Sequence, residues 1–321
     1  KSVNTSRQMS SISVLTWNVW FDNFKREERY NEILNLCSTI GPDVVCLQEV
    51  TPFFIRMLKE HELCRLYDVS DHDLTGSTVG SYGVLSLCRR DLKGTFQFHE
   101  LHTEMDRKLL TTSFSTPHGT VGVGNVHLES LNTRITRRIQ LQQCRPILDR
   151  FRVSLLCGDF NFDSDRNYTL DDKPLENNAL AEVYPNYKDV WLELHTPGSG
   201  KTFDTDVNLM LGQRNEHMRY DRIILRNQPI PIPTMASKLL GTPAQSEEPA
   251  LPTYVPTEIR LLGTRTVGEN IDAWYKNATS ATDSVADVPP AVESAFATPV
   301  KKSRPVFPSD HFGLHAVFTY Q

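Results

Sequence analysis

Polar residues that are suited to chemistry recur at the ends of apolar, strand-like runs along the sequence. Most of them follow such a run directly, and the others precede one. Each residue taken alone is also typical of a turn, a helix terminus or a buried polar contact. The recurrence indicates a common site, because α/β enzymes assemble their sites from side chains at strand ends on a rigid sheet. The residues are Asn18, Glu49, His127, Asp159, Asn161, Asp221, Asp310 and His311.

Three members of this set offer oxygen ligands for a divalent cation. Glu49 and Asp310 carry carboxylates, and Asn18 carries an amide oxygen. An oxygen-rich group with few sulfur or nitrogen donors suits a hard cation such as Mg²⁺, which also binds the phosphate oxygens of a substrate. We therefore predict a metal site at Glu49, Asp310 and Asn18 that takes Mg²⁺, with Mn²⁺ as an alternative.

The remaining polar groups fit the hydrolysis of a phosphate ester. Asp159 can orient or deprotonate an attacking water, and Asn161 can hold that water or a phosphate oxygen. His311, oriented by a carboxylate, can donate hydrogen bonds to a non-bridging oxygen. Positioning and electrostatic stabilisation make up most of phosphoryl-transfer catalysis. The sequence thus predicts a metal-dependent phosphodiesterase with Asp159, Asn161 and His311 as catalytic residues.

The patterns around these residues predict a layered α/β domain. Residues 12–17 and 44–47 are predicted strands, and the helical spacing of residues 30–40 lies between them. Thr51 and Pro52 then predict the start of a second helix, as an N-cap followed by proline at the first helical position. The further predicted elements are strands at 83–89, 109–115, 121–127, 153–157 and 220–225, helices at 133–151 and 189–194, and a last strand from 314 onward.

A change in composition between residues 227 and 306 interrupts this pattern. The segment is rich in proline, alanine, serine and threonine, so it has little apolar surface to offset the entropy of ordering. We predict that much of it is a mobile loop inserted in one domain, because the residues that follow are too few to fold alone. The predicted organisation is a polar tail at 1–11 and a single catalytic domain at 12–321 that contains this insertion.

Composition limits the environment and the partners. The chain of 321 residues has a formal net charge of −5, which argues against a general nucleic-acid coat but permits a local basic groove. No apolar run approaches the roughly 18 residues that a membrane span needs. The six cysteines lack C-x-x-C spacing and are predicted to be buried free thiols of a reducing compartment. We therefore expect an intracellular monomer, in the nucleus or the cytoplasm, with no membrane partner.

Ordered motifs resemble those of the endonuclease/exonuclease/phosphatase superfamily, whose fold is deoxyribonuclease-I-like. The resemblance implies a four-layered α/β sandwich in which two packed mixed sheets are flanked by helices. It implies Mg²⁺ held mainly by Glu49 with help from Asn18 and Asp310, and it makes Asp221 the carboxylate that orients His311. The motifs are Thr16-Trp17-Asn18, Leu47-Gln48-Glu49, Gly158-Asp159-Phe160-Asn161, Tyr220-Asp221-Arg222 and Ser309-Asp310-His311.

Further stretches are similar to the tyrosyl-DNA phosphodiesterase 2 branch of this superfamily. They lie at 104–107, 127–130, 202–208 and 307–314. This resemblance implies DNA repair by hydrolysis of the bond between a DNA 5′ phosphate and the tyrosine of a trapped topoisomerase, so the partner is a DNA 5′ end with a tyrosyl-peptide adduct. It also implies that His127 takes part in catalysis at the phosphate. The implied substrate-binding residues are Asn18, Arg107, Ser130, Phe203, Asn208 and Phe312.

Two features depart from that branch. Phe203 and Phe312 stand where the branch has tryptophan, so an aromatic platform would have a smaller face. Asp163 and Asp165 follow the Gly-Asp-Phe-Asn motif, where the branch usually has a basic residue. Basic residues in the same part of the sequence offer compensation for these acids: Arg134, Arg137, Arg138 and Arg166.

Two other functions stay open at this point. The same chemistry could act on another phosphoester, as in sphingomyelinase-like, inositol-phosphatase-like or RNA deadenylase enzymes. The chain could also be a scaffold that binds without catalysis. A scaffold is expected to lack at least one of the residues that do the chemistry, and Glu49, Asp159, Asn161 and His311 are all present. The sequence contains no convincing apolar hairpin of the kind that a lipid-directed enzyme needs.

Overall fold

Two mixed β-sheets of six strands each form the centre of the fold. The structure is a computed structural model that describes residues 9–170, 172–212, 215–227, 253–271, 274 and 304–321. The strands are β1 (Ser11–Asn18), β2 (Val44–Val50), β3 (Tyr67–Val69), β4 (Gly83–Arg89), β5 (Thr95–Glu100), β6 (Lys108–Thr116), β7 (Gly119–His127), β8 (Val153–Asp159), β9 (Lys188–Asp189), β10 (Phe203–Asp204), β11 (His217–Met218), β12 (Asp221–Asn227), β13 (Tyr254–Leu262) and β14 (Gly313–Tyr320). The helices are α1 (Arg26–Ile40), α2 (Pro52–Glu60), α3 (Leu63–Leu66), α4 (Arg134–Leu148), α5 (Asn178–Val183) and α6 (Val190–Leu194).

The two sheets have a related arrangement of strands. The first has the order β13-β14-β1-β2-β4-β3, with β1 parallel to β2 and antiparallel to β14. The second has the order β5-β6-β7-β8-β12-β9, with β7 parallel to β8 and β8 antiparallel to β12. A separate ribbon pairs β10 with β11. In both large sheets a parallel pair therefore lies beside an antiparallel strand. The carboxyl ends of the two parallel strands and the amino end of the antiparallel strand meet at one edge of the sheet.

Three clusters of buried side chains show how the layers pack. One cluster joins the inner faces of the two sheets through residues such as Val14 and Leu155. A second packs α1 and α2 on the outer face of the first sheet, and a third packs α4 on the outer face of the second. The sequence of layers is therefore helix, sheet, sheet, helix, which is the predicted four-layered sandwich. Burial of the apolar faces of both sheets provides most of its stabilisation.

The predicted elements agree with the structure to within a few residues. The side chain of Thr51 accepts a hydrogen bond from the backbone N–H of Phe54 at 3.3 Å, and Pro52 opens α2 as predicted. The helix predicted at 133–151 is shorter, because α4 ends at Leu148. All six cysteines are free thiols, as predicted, and all but Cys64 are buried. Within the described residues, no helix has the length and hydrophobicity to cross a membrane.

Part of the proline-rich segment forms a strand, which differs from the predicted mobile loop. Residues 254–262 form β13 at the edge of the first sheet, where they pair with β14. The register shifts between Pro256 and Glu258. An edge strand with a bulge accommodates proline, because one side of its backbone needs no ladder partner. The prediction for residues 228–252, 275–303 and most of the tail at 1–11 falls outside the described residues.

Candidate active site

The register of the strands brings the polar residues of the motifs to one edge of the sandwich. Asn18 lies opposite Gln48 in the parallel pair of β1 and β2, so Glu49 follows directly at the same edge. His127 lies opposite Asp159, and Asp159 lies opposite Asp221. The site therefore takes side chains from both sheets at the point where their strands end.

Gly158 allows the close approach on which this arrangement depends. It has a φ of +132°, and a Cβ atom added there would lie 1.9 Å from the carbonyl oxygen of Val126 on the neighbouring strand. Any larger residue would separate β7 from β8 just before Asp159 and His127. The glycine of the Gly-Asp-Phe-Asn motif is thus explained by the spacing of the two strands.

Asp159 lies at the centre of the site. Its Oδ2 accepts a hydrogen bond of 3.0 Å from the Asn18 amide and lies 3.6 Å from His127 Nε2 and 3.9 Å from His311 Nε2. Burial acts to raise the pKa of Asp159, but the charge of His311 and the hydrogen bond from Asn18 are among the interactions that outweigh it and hold that pKa below its ordinary value. Asp159 is therefore an ionised carboxylate between two imidazoles.

His311 is held by Asp221 and by the backbone around it. Nδ1 of His311 lies 2.8 Å from Asp221 Oδ2, and the indole N–H of Trp17 donates to the carbonyl oxygen of His311 at 2.9 Å. Burial acts to lower the pKa of His311, but the negative charges of Asp221, Asp310 and Asp159 outweigh it and hold that pKa well above its ordinary value. His311 is therefore an imidazolium that can donate from Nε2.

His127 is in the opposite protonation state. Burial and the positive charge of Arg107 lower the pKa of His127 to about 3. Arg107 Nη1 lies 3.0 Å from His127 Nδ1, and because a guanidinium has no acceptor, Nδ1 must accept and the proton must be on Nε2. Nε2 is buried and has no hydrogen-bond partner among the described residues. A neutral N–H donor therefore points into the site.

Glu49 and Asp310 form a second acidic group beside Asp159. Oε1 of Glu49 accepts from Asn18 at 3.1 Å, and Oε2 accepts from the backbone N–H of Phe21 at 3.0 Å. Burial and the charge of Asp310 raise the pKa of Glu49 to about 7, and burial also raises the pKa of Asp310. Both carboxylates are partly buried, and their raised pKa values show that the ionised forms are disfavoured. They make a donor set that a divalent cation fits, because the cation would neutralise both.

Asn18 is placed as a hydrogen-bond donor, which differs from its predicted role as a metal ligand. Its amide oxygen accepts from the backbone N–H of Trp20 at 3.0 Å, and its amide nitrogen donates to Glu49 and Asp159. These partners fix the orientation of the amide, since a backbone N–H requires an acceptor. The nitrogen that faces the carboxylates cannot bind a cation, so Asn18 orients the acids instead.

Another group in the site has the spacing of a metal site. Asp159, Asp221 and His311 each offer one ligand atom, and these atoms lie within 4.8 Å of one another. A cation at this position would have to displace the proton that His311 Nδ1 donates to Asp221. The group is therefore better explained as a hydrogen-bonded arrangement of acid and imidazole.

A family model described as the endonuclease/exonuclease/phosphatase family matches residues 15–311 of the chain. The chain belongs to this family. Curated relatives named tyrosyl-DNA phosphodiesterase 2 include one from Bos taurus, 28% identical over 224 residues, and one from Homo sapiens, 28% identical over 222 residues. Each alignment covers 68% of this chain and 58% of the relative, so the chain spans little more than half of their length.

Solved structures of the family show the same fold. A D. rerio TDP2 structure, titled as a complex with a single strand DNA product, has a TM-score of 0.63 at 20% identity and covers 97% of this chain and 99% of its own. A C. elegans TDP2 structure has a TM-score of 0.63 at 18% identity and covers 96% of this chain and 75% of its own. The predicted deoxyribonuclease-I-like sandwich is confirmed by these similarities.

Asn161 and Ser130 lie at the rim of this family site. Asn161 has a φ of 57°, a left-handed conformation that asparagine tolerates better than most residues. Its amide nitrogen donates to the carbonyl oxygen of Leu128 at 2.9 Å, which leaves the amide oxygen available to a ligand. The hydroxyl of Ser130 accepts from Arg107 at 2.8 Å. Arg107 therefore connects Ser130 with His127.

The structure does not support Phe312 as a substrate-binding residue. Its side chain is only 1% exposed and packs with Met210 and Phe307. Its ring is enclosed in this cluster and therefore offers no face to a base. Phe203 remains at the site, although it is mostly buried, with its ring edge-to-face with His311 at 5.2 Å.

Asn208 also contacts the loop that carries Asp310 and His311, and it does not face the open site. It is fully buried, and its amide nitrogen donates to the carbonyl oxygens of Ser309 and Asp310 at 2.8 and 3.4 Å. This side chain has no exposed atom with which to bind substrate, so its predicted contact with substrate is replaced by a role in holding the loop of Asp310 and His311.

The acidic departures from the tyrosyl-DNA phosphodiesterase branch are neutralised within the fold. Asp163 is buried and accepts from the backbone N–H groups of Asp165, Arg166 and Arg219. Asp165 pairs with Lys201 at 2.9 Å. Neither carboxylate is therefore an unpaired charge beside the site.

Two of the arginines predicted to offset those acids have other partners. Arg137 is buried and pairs with Glu176 at 2.7 Å. Arg138 pairs with Glu182 on the surface at 2.5 Å. Arg137 therefore cannot contribute a free charge to a groove, because its guanidinium is enclosed by the fold.

Sequence reasoning missed the aromatic wall beside Arg107. Tyr82 lies under the Arg107 guanidinium at 5.5 Å and stacks on Phe21 with ring centroids 4.7 Å apart. Tyr82 and Arg107 border a cavity of about 250 Å³ that reaches His127. Tyr82 comes from a loop rich in glycine, serine and threonine, which carries no strand or helix pattern and gave no signal.

Proposed function

We propose that this chain is a Mg²⁺-dependent phosphodiesterase that hydrolyses 5′-phosphotyrosyl-DNA bonds. The observation that carries the proposal is the ionised Asp159 between a neutral imidazole, His127, and a charged one, His311. Such an arrangement provides a base for an attacking water and two fixed N–H donors for the charge that develops on phosphate oxygens. A binding scaffold has no need for imidazoles in opposite protonation states.

Each group has a defined part in the reaction. Asp159 orients the water and takes its proton, while the free amide oxygen of Asn161 positions the same water. As the water oxygen bonds to phosphorus, the bond between phosphorus and the tyrosyl oxygen breaks, and the tyrosine leaves as a phenolate that is protonated from solvent. Nε2–H of His127 and Nε2–H of His311 donate to the non-bridging oxygens of the phosphate, and Asp221 keeps His311 protonated and aligned. General acid-base catalysis of this kind is worth about 10²–10⁴-fold in rate.

Glu49 and Asp310 are the residues that would hold the divalent cation, with Mg²⁺ as the proposed ion and Mn²⁺ as the alternative. Their all-oxygen donor set and the raised pKa of each carboxyl group support this assignment. The cation supplies Lewis-acid stabilisation of negative charge on the phosphate oxygens. Asn18 donates hydrogen bonds to both Glu49 and Asp159. It therefore holds the metal-binding carboxylate and the water-binding carboxylate in fixed positions relative to each other.

The substrate class rests on the relatives and on the phosphate side of the site. Relatives at 28% identity are named tyrosyl-DNA phosphodiesterase 2, and a solved structure of the same fold is titled as a complex with a DNA product. Arg107, His127 and Ser130 form a connected group of the kind that binds a terminal phosphate. The proposed partner is a DNA 5′ end with a tyrosyl-peptide adduct, which the protein would meet in the nucleus or cytoplasm as a monomer.

A panel of substrates tests this proposal. The purified protein with Mg²⁺ is offered an oligonucleotide with a 5′-phosphotyrosyl end, and separately a 3′-phosphotyrosyl oligonucleotide, poly(A) and sphingomyelin. We expect preferential release of 5′-phosphorylated DNA from the first. Faster turnover of any of the other three would overturn the substrate, and no turnover of any phosphoester would overturn the proposed activity.

A further inference from the structure

Glu129 is a buried acid close to the site that has no part in the chemistry described above. It is 1% exposed and follows His127 by two residues. Its carboxylate accepts three hydrogen bonds, from the Thr103 hydroxyl at 2.7 Å, the backbone N–H of Glu104 at 2.9 Å and the Gln140 amide at 3.0 Å. All three partners are donors, so Glu129 ties the loop before Arg107 to helix α4.

The hydrogen bonds of Thr103 make a carboxylate necessary at this position. The Thr103 hydroxyl oxygen accepts from the backbone N–H of Met105 at 2.9 Å and of Arg107 at 3.1 Å. Both of its lone pairs are therefore used, and its proton must go to Glu129. A glutamine at 129 would present an N–H to at least one donor, because an amide has only one acceptor oxygen for these partners.

The effect of this network reaches His127 through Arg107. Thr103 holds the backbone of Arg107, and the Arg107 guanidinium lies against His127 Nδ1 and the Ser130 hydroxyl. As long as the guanidinium stays there, Nδ1 of His127 can only accept, and the proton of the ring stays on Nε2, which faces Asp159 at 3.6 Å.

We propose that Glu129 is a positioning residue that, through Thr103 and Arg107, fixes His127 in the tautomer that points its N–H at the phosphate. The catalytic consequence rests on the proposed function. The tautomer itself is a property of the free protein and can be observed without a substrate.

The tautomer is measured by ¹⁵N chemical shifts of the histidine ring nitrogens in the intact chain, with the His127 signals assigned by their loss in His127→Gln. We expect the Nε2–H form in the wild-type protein and a mixture with the Nδ1–H form in Glu129→Gln. Glu193→Gln changes an exposed acid on α6 that pairs with Lys188, and it serves as the matched control with unchanged His127 signals. An unchanged Nε2–H form in Glu129→Gln overturns the proposal.

A second pair of variants covers the case in which Glu129→Gln does not fold. Thr103→Val keeps the shape of the side chain but removes the hydroxyl, and it is expected to release Arg107 in the same way. Thr103→Ser restores the hydroxyl and is expected to restore the wild-type tautomer. Equal His127 spectra for the valine and serine variants contradict the proposal.

Kinetics on the 5′-phosphotyrosyl oligonucleotide distinguish positioning from a general loss of stability. We expect Glu129→Gln to lower kcat by about 10- to 100-fold with little change in KM, as is typical when a supporting partner of an active-site group is lost. Because Glu129 acts through Arg107, Glu129→Gln combined with Arg107→Ala should be no slower than Arg107→Ala alone. Additive losses would overturn the proposal, whereas an inactive wild-type protein with the expected spectra would overturn only the proposed function.

Discussion

At the scale of single residues, the proposed chemistry depends on two histidines with opposite protonation states. The charge of Asp221 favours the imidazolium of His311, whereas burial and the charge of Arg107 keep His127 neutral. The order of the motifs in the sequence identified both imidazoles and their acidic neighbours. It could not give the tautomer of His127 or the orientation of the Asn18 amide, because these depend on hydrogen bonds to residues that are distant in sequence or that carry no motif. The predicted ligand role of Asn18 failed for that reason.

Replacement of Asp221 by asparagine tests the electrostatic part of this arrangement. The asparagine amide oxygen can still accept from His311 Nδ1, but the charge that favours the imidazolium is lost. We expect kcat on the 5′-phosphotyrosyl oligonucleotide to fall by about 10²–10⁴-fold while KM changes little. Steady-state kinetics measure this, and a kcat within threefold of the wild-type value would show that His311 does not need its acidic partner.

Loops held by buried polar contacts position the site at the scale of elements. The loop before β14 carries Asp310 and His311, and it packs against the turn at Gly263, where an added Cβ atom would meet Trp17 at 2.3 Å. The strands and helices were predictable because their apolar spacing is regular. β13 was not, since its prolines and its place in a polar segment concealed an edge strand whose pairing with β14 depends on the rest of the sheet.

The loop that carries Tyr82 offers a prediction on stability. Asp71 accepts hydrogen bonds from Thr75, Gly76 and Thr78. Burial acts to raise the pKa of Asp71, but these hydrogen bonds outweigh it and hold that pKa below its ordinary value. A lowered pKa stabilises the fold above the unfolded value of about 3.9, and this contribution is lost as the pH falls through the folded value.

We therefore expect Asp71→Asn to lower the free energy of unfolding by about 1–3 kcal/mol at pH 7. The difference from the wild-type protein should shrink as the pH falls below about 4, because the proton binds first to Asp71 of the unfolded chain and, below the lowered pKa, also to Asp71 of the folded protein. Urea denaturation at a series of pH values measures both effects. A difference that stays constant down to pH 3 would contradict the assigned role of the carboxylate.

The two sheets must keep a fixed separation at the scale of the whole molecule, because the site takes residues from both. Asn125 on β7 crosses the interface: its amide oxygen accepts from Gln48 at 2.7 Å, and its amide nitrogen donates to the carbonyl oxygens of Leu47 and Leu85 at 3.1 and 3.0 Å. Gln48 comes directly before Glu49. The motif resemblance predicted the sandwich, but this contact between sheets could not be read from either strand alone.

Asn125→Leu keeps the approximate size of the side chain and removes these contacts. Several buried polar groups would lose their partners, each at a cost of about 1–3 kcal/mol, so we expect a loss of roughly 3 kcal/mol or more in the free energy of unfolding. Asn35→Leu changes an exposed asparagine on α1 and is the matched control, with an expected effect within about 0.5 kcal/mol. Urea denaturation would refute the cross-sheet role if both variants had the same stability.

The rate of cleavage of a 5′-phosphotyrosyl oligonucleotide by the wild-type protein and by Asp159→Asn tests the central claim most directly. Both proteins are measured with Mg²⁺ and with EDTA, after circular dichroism has shown that the variant is folded. The account predicts turnover by the wild-type protein with Mg²⁺, a rate lower by about 10²-fold or more for Asp159→Asn, and no turnover with EDTA. A folded Asp159→Asn variant within tenfold of the wild-type rate, or undiminished cleavage in EDTA, would contradict it.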